Sequence, residues 1–196
     1  MKQPPFGITV CGIDELGDHA ALGATHVLSI LDPDYPVPEA FGQYGEHARL
    51  ERRFHDIIEP AAGMILPSTA DVEAVLAFGR GLGAEPSPPA TLLVHCHAGV
   101  SRSTASMTLI LAQAMPDLSA AAILGMVYGI RDKAWPNLRM IEMGDEMLGR
   151  RSSLVEAAFG LYRLQMENKP HLAEMMNAFG REREVVGGRR RAPLAL

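Results

Sequence analysis

Thr91-Leu92-Leu93-Val94-His95-Cys96-His97-Ala98-Gly99-Val100-Ser101-Arg102-Ser103 is a β-prone run that ends on a thiol and turns at once into a helix. Thr91–His95 has no glycine or proline and a continuous apolar centre, which predicts a strand buried on both faces. The uncharged stretch Ser103–Met115 predicts a buried helix. A short loop that wraps into a helix N-terminus aims several backbone N–H groups at one spot, and the helix dipole adds positive potential there. Such a nest suits an oxyanion of phosphate size. His97, Ala98, Gly99, Val100, Ser101 and Arg102 would form it. Gly99 permits the tight backbone, and Arg102 can clamp two phosphate oxygens in a fork. The same field favours the nucleophilic thiolate of Cys96, and a thiolate beneath a bound phosphate is set for in-line attack on phosphorus. Ser103 can donate a hydrogen bond to the sulfur when it leaves. His95 reads as a buried organiser of the loop.

Outward from this centre, strands and helices alternate. Ile8–Cys11 and His26–Leu31 predict strands, and Asp14 is expected to cap a short helix through Leu22 that Gly23 ends. Leu50–His55 predicts a further strand, with Asp56 leaving its end. The stretches 32–45 and 59–67 read as loops. Ser68 and Asp71 make a capping box for a helix that stops near Gly79–Gly83, and Glu85–Pro89 reads as an exposed connector. Helices are expected over Ser103–Met115, Ser119–Ile130, Asn137–Leu148, Ser153–Glu167 and Pro170–Glu184, with a frayed tail at Gly187–Arg191. The class is α/β: a mainly parallel central sheet flanked by helices, with extra C-terminal helices.

The composition narrows the function. The 196 residues suit one domain of ordinary size, and 47% hydrophobic content supplies a core. A formal charge of −5 argues against a nucleic-acid partner. The two cysteines, Cys11 and Cys96, exclude a disulfide scaffold and a four-thiolate zinc site. Cys11 reads as a small buried hydrophobe, the alternative being a disulfide partner for Cys96. Met1–Leu16 lacks a secretory pattern. The uncharged runs Ser103–Pro116 and Leu118–Ile130 fall short of the roughly 20 residues that span a bilayer. No membrane association and a cytoplasmic setting are expected. Met166, Met175 and Met176 read as helix packing, and Arg189-Arg190-Arg191 as a solvated tail.

The string from His95 to Ser103, His-Cys-x5-Arg-Ser, resembles the signature loop of the cysteine-based protein tyrosine phosphatases at every position. The small dual-specificity branch is the nearest pattern, its bacterial members nearer still. Trp135-Pro136-Asn137 resembles the Pro-Asn that opens a late helix in that branch, so Asn137 is expected to support the loop. The Gly-Phe that usually follows is absent, and Met143 stands where a Gln is common. The resemblance spans roughly residues 7–150 and implies a phosphatase domain over 1–150, with 151–196 as a helical extension and basic tail.

The resemblance implies a general acid upstream of the cysteine. Asp56 in Phe54-His55-Asp56-Ile57-Ile58-Glu59 is the candidate, Glu59 the reserve, and Asp71 is already explained by its helix cap. The implied reaction is hydrolysis of phosphotyrosine, or phosphoserine and phosphothreonine, on a phosphoprotein through a cysteinyl-phosphate, with no metal or other cofactor. A phosphate-binding pseudophosphatase is the alternative. A phosphoinositide phosphatase is a weaker one, because residues 97–101 contain no Lys. Sulfur transfer of the rhodanese type usually has one residue fewer between Cys and Arg.

Overall fold

The computed structural model describes residues 3–82 and 89–195; of the connector expected at 85–89, all but Pro89 lies outside the described residues. Among the described residues four strands, β1 (Gly7–Cys11), β2 (His26–Leu31), β3 (Ala48–Arg53) and β4 (Thr91–His95), form one sheet in the order β1-β4-β2-β3. Every pairing is parallel. β4 is interior, and its Leu92, Leu93, Val94 and His95 are buried. That is why this strand reads as a continuous apolar run. β3 is an edge strand whose Glu51 pairs with Arg49 and Arg53, both at 2.7 Å. Charge along an edge discourages pairing with another sheet.

The strand expected at 50–55 begins and ends two residues earlier. Its ladder with β2 runs from His26↔Ala48 to Leu31↔Arg53. His55 is diverted into the next loop, where its N–H reaches the Ile65 carbonyl (2.8 Å) and its Nδ1 accepts from the Ile65 N–H (2.8 Å). The segment expected to be a helix capped by Asp14 is a 3-10 helix, Ile13–Leu22, and Gly12 occupies the cap position. Glu15, not Asp14, takes the free Gly12 N–H at 2.6 Å. Only Leu16 is buried there, so no apolar face drives a regular helix.

Seven α-helices occur among the described residues: α1 (Thr69–Gly81), α2 (Arg102–Ala114), α3 (Ala120–Ile130), α4 (Leu138–Met147), α5 (Ser153–Asn168), α6 (His171–Ala178) and α7 (Glu182–Arg189). Ser68 and Asp71 form the expected capping box on α1. α2 is buried from Arg102 to Ala112 and packs against α1, α3 and α4, which accounts for its lack of charge. No helix among the described residues is long and apolar enough to cross a membrane.

Two expectations for the C-terminal part are corrected. The helix expected over Pro170–Glu184 is two helices. Gly180 (φ 70) ends α6 in the left-handed region, with Arg181 N–H on the Met176 carbonyl (2.9 Å) and Gly180 N–H on Asn177 (3.0 Å). This is a Schellman stop, and glycine takes its positive φ without strain. The tail is docked, not frayed. Val185 and Leu194 are buried, the Leu194 N–H reaches the Gly160 carbonyl (2.9 Å), and Gly187 lies against the Phe159 ring.

α5 starts on Arg151 and Ser152, both at positive φ. Ser152 makes no side-chain cap. The buried Asp145 of α4 does so in its place, accepting from the N–H groups of Ser152 (2.6 Å) and Leu154 (2.7 Å). Asp145→Ala should therefore cost about 1–2 kcal/mol of stability, as loss of a helix cap does. Urea unfolding measures this as a lower midpoint at unchanged slope.

Candidate active site

In a parallel sheet every strand delivers its carboxyl end to the same edge. Here β4 delivers Cys96, β1 delivers Gly12, β2 delivers Asp32 and β3 delivers Phe54 and Asp56. The loop 96–101 sits at this edge, and its carbonyls are held from outside. His97 C=O accepts from Ile13 N–H (2.9 Å), Val100 C=O from Trp135 N–H (2.8 Å) and Ser101 C=O from Asn137 N–H (3.3 Å). Arg131 donates to the carbonyls of Gly99 (3.0 Å) and Ala98 (3.1 Å), and its own guanidinium is fixed by Glu15 (2.6 Å). A peptide plane puts its N–H opposite its C=O. Carbonyls anchored outward therefore leave the N–H groups turned to the inside of the loop. Gly99 has φ 66, and a Cβ there would sit 2.6 Å from the Cys11 carbonyl carbon, so only glycine fits.

Cys96 is 2% exposed, and its Sγ lies 3.1 Å from the Ser103 hydroxyl in the first turn of α2. Arg102 is buried at the same helix start. Its Nη1 donates to Asp32 Oδ1 (2.6 Å) and to the Phe54 carbonyl (2.6 Å), while its buried Nε has no partner among the described residues. His95 is fully buried against Phe41, and burial pushes its pKa down to about 4, so the ring is neutral. His97 Nε2 accepts from the Asp32 N–H (3.1 Å), and its pKa is lowered by burial and then by Arg102.

Asp56 meets the loop from the other side. One oxygen, Oδ1, accepts from Ser101 Oγ (2.7 Å), Asn137 Nδ2 (2.9 Å) and Arg181 Nη1 (3.2 Å). Burial would raise its pKa, but Arg181, Arg102 and the two neutral donors outweigh that and hold it below the ordinary carboxylate value. Asn137 also caps α4 through the Met140 N–H (3.2 Å). Glu59 lines the same cleft but is paired with Arg183 (2.7 Å). Asp71 is engaged by Ser68 and by Arg52 (2.8 Å). Cys11 and Cys96 are both free thiols, and burial pushes Cys11 up to about 12. No cluster that could hold a metal ion occurs among the described residues.

The structure thus brings Cys96, His97, Ala98, Val100, Ser101, Arg102 and Asp56 to one cleft of about 720 Å³, with Ser103 behind the sulfur and Asn137 behind the carboxylate. It adds residues that sequence reasoning did not single out: Asp32, Glu15, Arg131 and Arg181. The cleft is mostly apolar away from the loop. Met64 of the 59–67 loop and Met175, Phe179 and Arg181 of the C-terminal helices form its other wall.

No family model matches the chain, and no curated protein matches it. Solved structures are similar. Human DUSP28 superposes with a TM-score of 0.55 at 18% identity, covering 74% of this chain and 93% of that one. Human tyrosine phosphatase-like serine/threonine/tyrosine-interacting protein gives 0.56 at 16% identity, covering 74% and 93%. DUSP15 gives 0.55 at 22% identity, covering 86% and 95%. These likenesses establish the fold: a parallel four-stranded sheet flanked by helices, as in the dual-specificity and tyrosine phosphatases.

Proposed function

We propose that the chain is a cysteine-dependent phosphomonoesterase of the protein-tyrosine-phosphatase type, in the dual-specificity-like branch and of the bacterial kind. Its substrate is a cytoplasmic phosphoprotein, hydrolysed at phosphotyrosine, and at phosphoserine and phosphothreonine where the cleft admits them. One observation carries the reading: the carbonyls of residues 97–101 are held from outside the loop that follows Cys96, while Arg102 and Asp56 converge on the same cleft.

In the proposed first step the Cys96 thiolate attacks phosphorus, and the bond to the ester oxygen breaks. Asp56 gives its proton to that oxygen. The loop N–H groups and Arg102 stabilise the equatorial oxygens. In the second step water loses a proton to Asp56 and attacks phosphorus. The S–P bond breaks, and the Ser103 hydroxyl stabilises the departing thiolate. The thiolate, guanidinium and carboxyl carry every role, so the scheme calls for no cofactor.

The test is turnover of p-nitrophenyl phosphate by the reduced chain, with inhibition by one vanadate per chain and acid-quench trapping of a phosphocysteine. No turnover above background would sink the reading. Asp56→Asn should lower kcat for phenyl phosphate by about 10²–10⁴. Its effect on p-nitrophenyl phosphate should be smaller, because a better leaving group needs less protonation. Steady-state kinetics with both esters checks this.

One observation favours a binding module that does not turn over: the lowered pKa of Asp56 disfavours the protonated acid. A phosphate dianion in the loop opposes that shift, because a neighbouring negative charge raises a carboxyl pKa. Tight phosphopeptide binding without a trapped phosphocysteine would select the binding module.

A further inference from the structure

Resting on the phosphatase reading, we infer that Arg181 is a positioning residue that acts through Asp56, and that Oδ2 of Asp56 is the oxygen that carries the transferred proton. Arg181 enters the cleft from the turn between α6 and α7. It is 2% exposed, and nothing in the proposed reaction requires a second buried guanidinium there. Its Nη1 donates to Asp56 Oδ1 (3.2 Å) and to Ser101 Oγ (2.8 Å). Its Nη2 is fixed by the fully buried Glu184 (2.7 Å). Glu184 is itself held by Trp135 Nε1 (2.7 Å) and by the Leu138 N–H (2.9 Å) at the start of α4. The chain Trp135–Glu184–Arg181–Asp56 therefore ties the acid to the core.

The geometry also discriminates between the two carboxyl oxygens. Ser101, Asn137 and Arg181 all donate to Oδ1, and no hydrogen bond among the described residues goes to Oδ2. A carboxyl oxygen saturated by three donors is a poor place for a proton. The proton therefore resides on Oδ2, with its C–O bond direction set by the three bonds to Oδ1. A group held in one orientation transfers its proton without a rotational search.

The charged and titratable groups around Asp56 are Arg181 with Glu184 behind it, Arg102 of α2, His97 and Cys96 of the loop, Asp32 at the end of β2, and His55 and Glu59 beside it. Of these, Arg181 and Arg102 lower the Asp56 pKa most. Removing Arg181 takes away a cation that favours the carboxylate, so the pKa of Asp56 rises. The high-pH limb of turnover, along which Asp56 loses its proton, then moves to higher pH.

The experiment measures kcat against pH for phenyl phosphate and p-nitrophenyl phosphate in the wild-type chain, Arg181→Gln, Arg181→Lys and each of these with Asp56→Asn. Arg181→Gln should lower the phenyl/p-nitrophenyl ratio of kcat by about tenfold, within the range general acid–base groups supply. It should also move the high-pH limb to higher pH. The ratio should not fall further in the Asp56→Asn background, because both changes act on one proton transfer. Equal losses for both esters, or losses that add in the double variant, overturn the inference. Glu184 loses its charged partner in Arg181→Gln, so thermal unfolding is followed in parallel. If that variant does not fold, Arg181→Lys decides, since one ammonium cannot serve both Asp56 and Glu184. A threefold or greater fall in its ratio supports the role, and an unchanged ratio overturns it. A wild-type chain that turns over neither ester overturns the phosphatase reading itself, and this inference with it.

Discussion

Cys96→Ser is expected to abolish turnover of p-nitrophenyl phosphate, a loss of about 10⁴-fold or more, as removal of an enzyme nucleophile produces. A thiol gives up its proton far more readily than an alcohol, so a serine in the same place is a much weaker nucleophile. The other candidate groups of the loop are engaged, Ser101 Oγ by Asp56 (2.7 Å) and His97 Nε2 by the Asp32 N–H (3.1 Å), and Ser103 stands behind the sulfur at 3.1 Å. The loop itself should survive the change. Its carbonyls are held by Ile13, Arg131, Trp135 and Asn137, none of which touches Sγ. The variant should therefore still bind a phosphotyrosine peptide, within a few-fold of the affinity of a slow-turnover reference such as the Asp56→Asn chain. Calorimetry gives the binding and a colorimetric assay the turnover. Full activity in the reduced Cys96→Ser chain would remove the nucleophile from the scheme.

Arg102 carries the second large effect. Arg102→Ala should cost about 10³–10⁵ in kcat, the range for an arginine that stabilises charge on a transferring phosphoryl group. Asp32 and the Phe54 carbonyl pre-set its guanidinium, each at 2.6 Å from Nη1. The substitution leaves both acceptors facing the cleft, where they repel an anion, so KM should rise as kcat falls. Arg102→Lys restores a charge but not the fork, because an ammonium is a point donor. It should recover only part of the loss. Full recovery by Lys would show that charge alone is used at this position.

How much of this was legible in the sequence follows from distance along the chain. The β4–loop–α2 unit is contiguous, so strand pattern, thiol, Gly99 and Arg102 could be read together. Ser68 with Asp71, and Asn137 as a cap, are likewise local. Asp56 was reachable only through resemblance. Asp32, Glu15, Arg131 and Arg181 gave no local signal for the site, because the partners that tie them to it, Arg102, Arg131, Glu15 and Asp56, lie far away in sequence. Glu15 and Arg131 are 116 residues apart. The split at Gly180 was hidden because a lone glycine is tolerated inside a helix and the charged run Arg181–Glu184 that follows suits a helix's solvated face. The docked tail was hidden because Gly187-Gly188-Arg189 has the composition of a solvated end, whereas glycine is what lets α7 approach Phe159 and Tyr162. Asp14 rather than Glu15 was the expected cap because both acids suit a first helical turn equally well; the structure uses Glu15.

The cage around Asp56 also has an order of assembly. Ser101 lies 45 residues from Asp56, Asn137 81 and Arg181 125. During synthesis the chain emerges at about 5–20 residues per second. Cys96 and its loop therefore leave the ribosome on the order of ten seconds before Arg181. Arg131, Trp135 and Asn137, which hold the loop's carbonyls, arrive within that interval and Arg181 at its end. On the proposed reading, the last helices thus complete a centre that the middle of the chain encodes.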